Sequence, residues 1–279
     1  MSPAPDDRQR ALHAELEEAL PGDLWIRFDV DPGHLQRIAT DPGRAAAVVS
    51  HHAWRGARWV SGYAADPLDP GHVAAAVALL TRLADAGTGI GEPVTGVTVP
   101  RGGLALLPDH LQPREHDEWD AWCTLVPPAP QSTPYGDAAR VVDLDAGDPR
   151  IAALLEVSSP TASIPAGDPR VVRWAGIEDP ERGLPDTGGL AAVLAVTRQR
   201  SGSHHLNSVA THPERRGTRL ARLLCAEVTA DSLAAGVPAV SLGMYADNDA
   251  ARSVYASLGF RWLRGSSSGA LAVAGPDHH

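Results

Sequence analysis

"SVATHPERRGTRLARLLCAEVTADSLAAG" (residues 208–236) joins three patterns whose order decides the fold. A short apolar strand pattern runs into Thr211-His212-Pro213. A basic turn follows, Arg215-Arg216-Gly217-Thr218-Arg219, and then an apolar helix. Leu220, Leu223, Leu224 and Val228 recur at helical spacing, and Gly236 followed by Pro238 stops the helix. Its first turn is therefore expected at Gly217-Thr218-Arg219, where free backbone N–H groups meet the positive end of the helix dipole. Such an end binds a phosphate or pyrophosphate without any special side chain. Arg215, Arg216 and Arg219 add positive charge. The competing reading of the same residues is a solvated basic turn.

A second helix follows downstream. Asn248 is a good N-cap; Ala251, Val254, Tyr255 and Leu258 line one face; Gly259 closes the helix before Phe260 opens the next strand. Tyr255 falls on the inward face, where a core tyrosine bonded to a carbonyl is the plainest expectation. Around these two helices the chain alternates. "ARVVDLD" reads as a strand, "DPRIAALLEVSS" as a helix, and "PRVVRWAGIED" and "GGLAAVLAVTRQR" as two strands. "HHLNSVAT", "PAVSLGMYA" and "FRWLRG" read as further strands. The order is mixed α/β, with antiparallel strands early and βα units late.

Composition narrows the function. The chain has 279 residues, 43% of them hydrophobic, room for one large domain or two modest ones. No stretch is long or apolar enough to span a bilayer. The amino terminus is charged and helical in pattern, with no apolar signal segment, so a cytoplasmic location is expected. The net charge of −10 argues against nucleic-acid and anionic-membrane partners and favours a cationic one. All 24 basic residues of the Lys+Arg count are arginines, as codon usage in a GC-rich bacterial genome produces. Cys123 and Cys225 lie far apart and outside any metal or redox spacing. The pairs His51-His52, His204-His205 and His278-His279 chelate poorly as strand neighbours, because adjacent side chains point to opposite faces. No metal is expected.

Two motifs at the right separation, "ATHPERRGTRLARLL" and "LGMYADNDAARSVYASLGF", resemble the GNAT superfamily of acyl-coenzyme A-dependent N-acetyltransferases. Asn248, Ala251, Val254, Tyr255, Leu258, Gly259 and Phe260 fit the second family pattern without exception. The loop fits at Arg216 and Ala221 but departs at Arg219, which stands where the family has its first motif glycine. The likeness covers roughly 140–275.

The resemblance implies a GNAT fold, a mixed and mostly antiparallel sheet flanked by helices, with acetyl-coenzyme A or another acyl-coenzyme A as cosubstrate. Backbone N–H groups from Gly217 through Thr218, Arg219 and Leu220 to Ala221 would hold the pyrophosphate, with Arg216 alongside. The backbone at Val209 and Thr211 would pair with the pantetheine amides. Tyr255 would protonate the departing thiolate, and Asn248 would sit near the pantetheine or the tyrosine helix. Some family members carry a glutamate base on the strand before the loop. His205 occupies the matching place here, and histidine is the side chain whose unperturbed pKa suits the task. Simple strand alternation would put it on one face with Asn207, Val209 and Thr211. If Arg219 lies in the first helical turn, its φ is negative and an arginine is allowed there. Its guanidinium can then turn outwards and pair with a phosphate.

The other half begins with a helix around Ala11–Leu20 and a strand-like "LWIRFDV". It continues with "ARWVSGYAA" as a strand and "DPGHVAAAVALLTRLADAG" as a helix, capped by Asp66 or Asp69 and stopped at Gly87. "PVTGVTVP" and "WDAWCTLVPP" read as strands, and Trp119 and Trp122 as core packing. "VPPAPQSTPYG" reads as a linker. The expected division is an N-terminal unit at 1–126, a linker at 127–137 and the acyltransferase domain at 138–279. The first unit reads as a degenerate copy of the same fold; the alternative is an unrelated α/β cap. Asp117, Glu118 and Asp120 are candidates to recruit a cationic amine where the units meet, against the plainer reading of a solvated acidic run.

The leading function is direct acetyl transfer to a primary amine of a small molecule. The rivals are a non-catalytic acyl-coenzyme A binding or regulatory module, and an acyltransferase with a different donor or an oxygen acceptor.

Overall fold

The computed structural model describes residues 4–52, 57–86, 93–179, 181 and 183–272. Gly87 and the His278-His279 pair lie outside these residues. The chain forms two compact units that are not colinear with the expected division. One comprises Trp122–Gly243 and Asn248–Trp262; the other comprises the described parts of Ser2–Ala121, Met244–Asp247 and Leu263–His279. The segment 126–135 holds no helix or strand and is largely exposed.

In the unit that holds the two motifs, strands run in the order β10 (Val240–Tyr245), β9 (His204–Thr211), β8 (Leu190–Arg198), β7 (Val171–Glu178) and β6 (Val141–Leu144). All neighbours are antiparallel except β9 and β10. Residues 190–196 of β8 are all fully buried, the unbroken apolar run of a strand covered on both faces. On one face, Ile151, Leu154 and Leu155 of α4 (Pro149–Ser158) pack against Trp174, Leu190, Val193, Ala195 and Ala210. On the other, α5 (Leu220–Ala234) packs on β7, β8 and β9. α6 (Asp249–Ser257) follows β10, with the Asn248 carboxamide accepting the Ala251 N–H at 3.0 Å.

The N-terminal unit is also a sheet between helices. Its strands are β1 (Leu35–Asp41), β2 (Ala45–His52), β3 (Ala57–Ala64) and β4 (Gly96–Pro100). β11 (Arg261–Ala270) pairs antiparallel with β4 through Ser266–Ala270. Along β2, Ala45, Ala47 and Val49 face α3 (Pro70–Asp85), whereas Ala46 and Val48 face α1 (Asp7–Ala19) and α2 (Leu24–Asp29). This is the period of two that a strand imposes. Asp69 caps α3 and a reciprocal Asp6–Gln9 box caps α1.

One assignment is corrected. "LWIRFDV" is a helix, not a strand, because Asp23 accepts from the N–H groups of Trp25 and Ile26 and so nucleates a turn. The strands at 35–41, which mixes polar and apolar residues, and at 45–52, which opens on three alanines, are not among the expected elements. β5 (Asp117–Thr124) falls where expected. No helix among the described residues is long and apolar enough to cross a membrane.

Candidate active site

The chemistry-bearing residues gather around β9. Strand β10 pairs with β9 only at Val240↔His204, Ser241↔His205 and Leu242↔Leu206. From Asn207 to Thr211 the β10-facing edge of β9 has no strand partner among the described residues. That edge presents backbone N–H and C=O groups that need partners.

The register between β8 and β9 slips inside this same stretch. Ala195 pairs with Asn207 but Val193 pairs with Ala210, so Leu194 faces both Ser208 and Val209. Ser208 takes the slack at a φ of +50°, a β-bulge. Its hydroxyl donates to the Ile164 carbonyl at 2.8 Å and accepts from the Ile164 N–H at 3.3 Å, anchoring the bulge to the loop after α4. The bulge overturns simple alternation. His205 and Asn207 lie on the α4 face with their partners Thr197 and Ala195, whereas Thr211 pairs with Ala192 and lies on the opposite face. The Thr211 hydroxyl is buried and has no hydrogen-bond partner.

His205 is half-buried, and its Nδ1 lies 2.8 Å from the Oγ of fully buried Ser241 on β10. His204 faces α5, with Nδ1 2.9 Å from Ser232 Oγ. Burial, with Arg198 and Arg173 nearby, pulls its pKa below the ordinary imidazole value.

Helix α5 starts later than expected, at Leu220, with Arg219 as its N-cap. Arg219 has φ +67° and ψ 14°, the left-handed region, so the expectation of a negative φ is wrong. Its side chain makes no capping bond. Among the described residues, the N–H groups at the start of this 15-residue helix have no side-chain cap. Just before it, Gly217 has φ +78°, and a Cβ there would meet nothing within 4 Å. The turn is open as well as uncapped.

Its three arginines have different roles. Arg219 is exposed. Arg216 is exposed and donates to the Ser158 carbonyl at 3.2 Å. Arg215 points inward and is buried: its Nε and Nη2 donate to the two carboxylate oxygens of Asp179 at 2.8 and 3.0 Å. Asp179 also accepts from the N–H groups of Gly183 and Glu181. Burial alone would raise its pKa. The Arg215 guanidinium and these backbone donors outweigh that and hold it below the usual carboxylate range. Arg215 thus anchors the turn and is not part of its positive surface. Asp179 lies 36 residues away in sequence, and no local pattern announces the pair.

Tyr255 on α6 is buried, its ring 5.8 Å from that of Phe260. Its phenol pKa is pushed far up by burial, with a smaller contribution from Cys225 on α5. Among the described residues no carbonyl is found bonded to its phenol. The Cys225 thiol, also wholly buried, is pushed up to about 12 and stays protonated. Asn248 is exposed, with its carboxamide committed to capping the tyrosine helix.

Of the three acidic candidates of the other unit, Asp117 is exposed at the start of β5, whereas Glu118 and Asp120 are paired. Asp120 is buried and bound by Arg101 at 2.8 Å; Glu118 meets Arg101 Nε at 3.0 Å and Ser267 Oγ at 3.2 Å. Among the described residues, no group of three or more His, Cys, Asp or Glu side chains is placed to hold a metal ion.

The parallel pair β9–β10 opens after three residues, and β9, bulged at Ser208, runs into the uncapped start of α5 within a mixed, mostly antiparallel α/β fold. Residues 153–260 match the model of the Acetyltransferase (GNAT) family. A GCN5-related N-acetyltransferase from Sphaerobacter thermophilus is 15% identical over 96% of this chain and 94% of that one, with a TM-score of 0.53. An acetyltransferase from the GNAT family from Colwellia psychrerythraea is 12% identical over 95% and 96%, with a TM-score of 0.50. At such identities the likeness is one of fold, and it extends over nearly the whole chain. No curated protein sequence matches. Residues 153–260 are a GNAT-family domain, and the protein is an acyltransferase.

Proposed function

We propose that this protein transfers an acetyl group from acetyl-coenzyme A directly to a primary amine of a small molecule. The observation that carries the reading is the uncapped, open start of α5 next to the unpartnered edge of β9. Backbone N–H groups from Gly217 to Ala221 would take the pyrophosphate, with the exposed guanidiniums of Arg216 and Arg219 adding charge. The β9 backbone at Val209 and Thr211 would pair with the pantetheine amides, as an added strand would. The orphaned Thr211 hydroxyl supports a polar ligand at this end of β9, since such a group left unsatisfied costs about 1–3 kcal/mol. Bound coenzyme would supply the acetyl group as an activated thioester.

The remaining roles belong to side chains of this chain. Tyr255 would donate its phenol hydrogen bond to the departing thiolate; burial makes the phenolate unfavourable without bound coenzyme, so the proton would move only as thiolate charge develops beside it. His205, oriented by Ser241, would take the proton that the amine must lose. Asn248 acts through the cap that fixes the helix carrying Tyr255. The sheet-between-helices build of the other unit supports the reading of a tandem with a degenerate first copy.

The test is calorimetric titration with acetyl-coenzyme A and with coenzyme A, then thiol release against a panel of small amines. Micromolar binding with amine-dependent thiol release supports the proposal. Binding without release for any amine refutes it in favour of a non-catalytic module. Absence of binding at millimolar donor refutes the coenzyme reading itself.

A further inference from the structure

His212 stands at the head of the candidate coenzyme loop, directly after β9, and its imidazole is buried. Its Nδ1 accepts the Glu214 N–H at 3.2 Å, which caps the short 3₁₀ turn Pro213–Arg215. Nδ1 is therefore unprotonated, and Nε2 carries the ring hydrogen, which it donates to Asp186 Oδ2 at 3.1 Å. The main chain of His212 is committed as well. Its N–H donates to the Ala191 carbonyl at 2.8 Å, and its carbonyl accepts the Arg215 N–H at 2.8 Å. Arg215 in turn grips Asp179. Two carboxylates of the segment joining β7 to β8 thus hold the first part of the loop, Asp186 through His212 and Asp179 through Arg215. Beyond that part the backbone turns left-handed at Gly217 and Arg219, with φ of +78° and +67°.

We propose that His212 is a positioning residue for coenzyme binding, a role that rests on the pyrophosphate site proposed at the start of α5. Backbone N–H groups hold a pyrophosphate well when they already converge on one spot. A loop that must be ordered on binding loses affinity by the cost of that ordering. The imidazole fixes the loop where it leaves the strand. With the Glu214 N–H bonded to Nδ1, the chain departs from β9 in one direction and carries Gly217 to Leu220 with it. Asparagine or serine, common at such a cap, would supply that bond alone. The second ring nitrogen adds the tie to Asp186, 26 residues away in sequence. The Asp186 side chain is 52% exposed, so solvent screens this tie and the cap carries the larger share. His212 acts through the loop, so its loss is read in coenzyme affinity and not in kcat.

The experiment uses the full-length protein. Coenzyme A is titrated calorimetrically into wild type, His212→Ala, His212→Asn, Asp186→Ala and the double variant His212→Ala/Asp186→Ala. Circular dichroism and thermal melting confirm each fold, and thiol release at saturating acetyl-coenzyme A gives kcat. His212→Ala should weaken coenzyme A about tenfold and leave kcat within about twofold. His212→Asn, whose carboxamide can accept the Glu214 N–H, should stay within about threefold of wild-type affinity. Asp186→Ala should weaken binding about threefold and add nothing to His212→Ala, because the tie needs both partners. Wild-type affinity in His212→Ala would overturn the proposal, and so would an asparagine variant no better than the alanine one. A loss confined to melting temperature or to kcat would make His212 a structural residue and overturn it too. The affinity measurements need no turnover, so they read His212 whether or not an amine releases thiol. Wild type that binds no coenzyme A at millimolar concentration would overturn the pyrophosphate site itself, and this role with it.

Discussion

Replacing Arg219 by glycine separates two effects that the wild-type residue combines. The backbone at this position is left-handed, φ +67°, and an L-residue with a Cβ is disfavoured there by about 1–2 kcal/mol. Glycine removes that strain but adds unfolded-chain entropy of about 0.4–1 kcal/mol. The difference predicts a net stabilisation of about 0.5–1 kcal/mol, read as a rise in melting temperature of about 1–4 °C. The side chain works in the other direction. An exposed guanidinium beside the uncapped helix start is worth about 1 kcal/mol to a bound pyrophosphate once solvent screening is counted, so acetyl-coenzyme A affinity should fall about fivefold. The assay is differential scanning calorimetry of the unliganded protein together with isothermal titration of acetyl-coenzyme A. Arg219→Lys is the control, keeping the strain and the charge while losing the planar fork. A lower melting temperature for Arg219→Gly would refute the strain argument. A tighter coenzyme complex would show that the arginine obstructs the loop and would refute its role as a phosphate partner.

Tyr255→Phe should lower kcat about 100-fold while leaving KM for acetyl-coenzyme A within twofold, and steady-state kinetics will show whether binding suffers equally, as a structural tyrosine requires. His205→Ala should lower the rate most at low pH, where an unassisted amine stays protonated; an unchanged pH–rate profile removes His205 from the mechanism. Asp179→Ala should destabilise the protein by about 2 kcal/mol in urea titration, because the buried Arg215 guanidinium loses its bidentate partner and keeps only the exposed Glu181 carboxylate at 3.1 Å. The Asp179 carboxylate also sets an acid limb. Its folded pKa lies below the unfolded value of about 3.9, so its contribution is complete above that pH and is lost as pH falls through the folded pKa. Asp179→Asn should flatten the loss of stability below about pH 4, and melting curves between pH 2 and pH 6 check it.

Local patterning was enough for the helices and most strands of residues 138–270. Leu220, Leu223, Leu224 and Val228 announce α5, and Asn248 with Gly259 brackets α6. The strand–basic turn–helix order and the Asn–Ala–Val–Tyr spacing are properties of contiguous residues, so the candidate coenzyme loop and Tyr255 were legible before any coordinates. The alanine-rich strand at 45–52 was not, because its strand character comes from burial between α1 and α3 and not from intrinsic propensity; the strand at 35–41, LQRIATD, pairs with it and carries no clear alternation of its own. "LWIRFDV" misled for the opposite reason: β-favouring side chains were overruled by one capping aspartate, Asp23.

Sequence by itself determined which residues carry the candidate chemistry, since residue type and short spacing are local quantities. Only the tertiary structure decided how they are used. A bulge at Ser208 turned Thr211 to the face opposite His205, because a strand's alternation breaks wherever one residue must face two. Asp179, distant in sequence, drew Arg215 inward and left Arg216 and Arg219 as the exposed charges of the turn. Arg219 took a left-handed conformation at a helix N-cap, where extended backbone is usual, a matter of where the chain must enter α5, which no count of helical spacing contains.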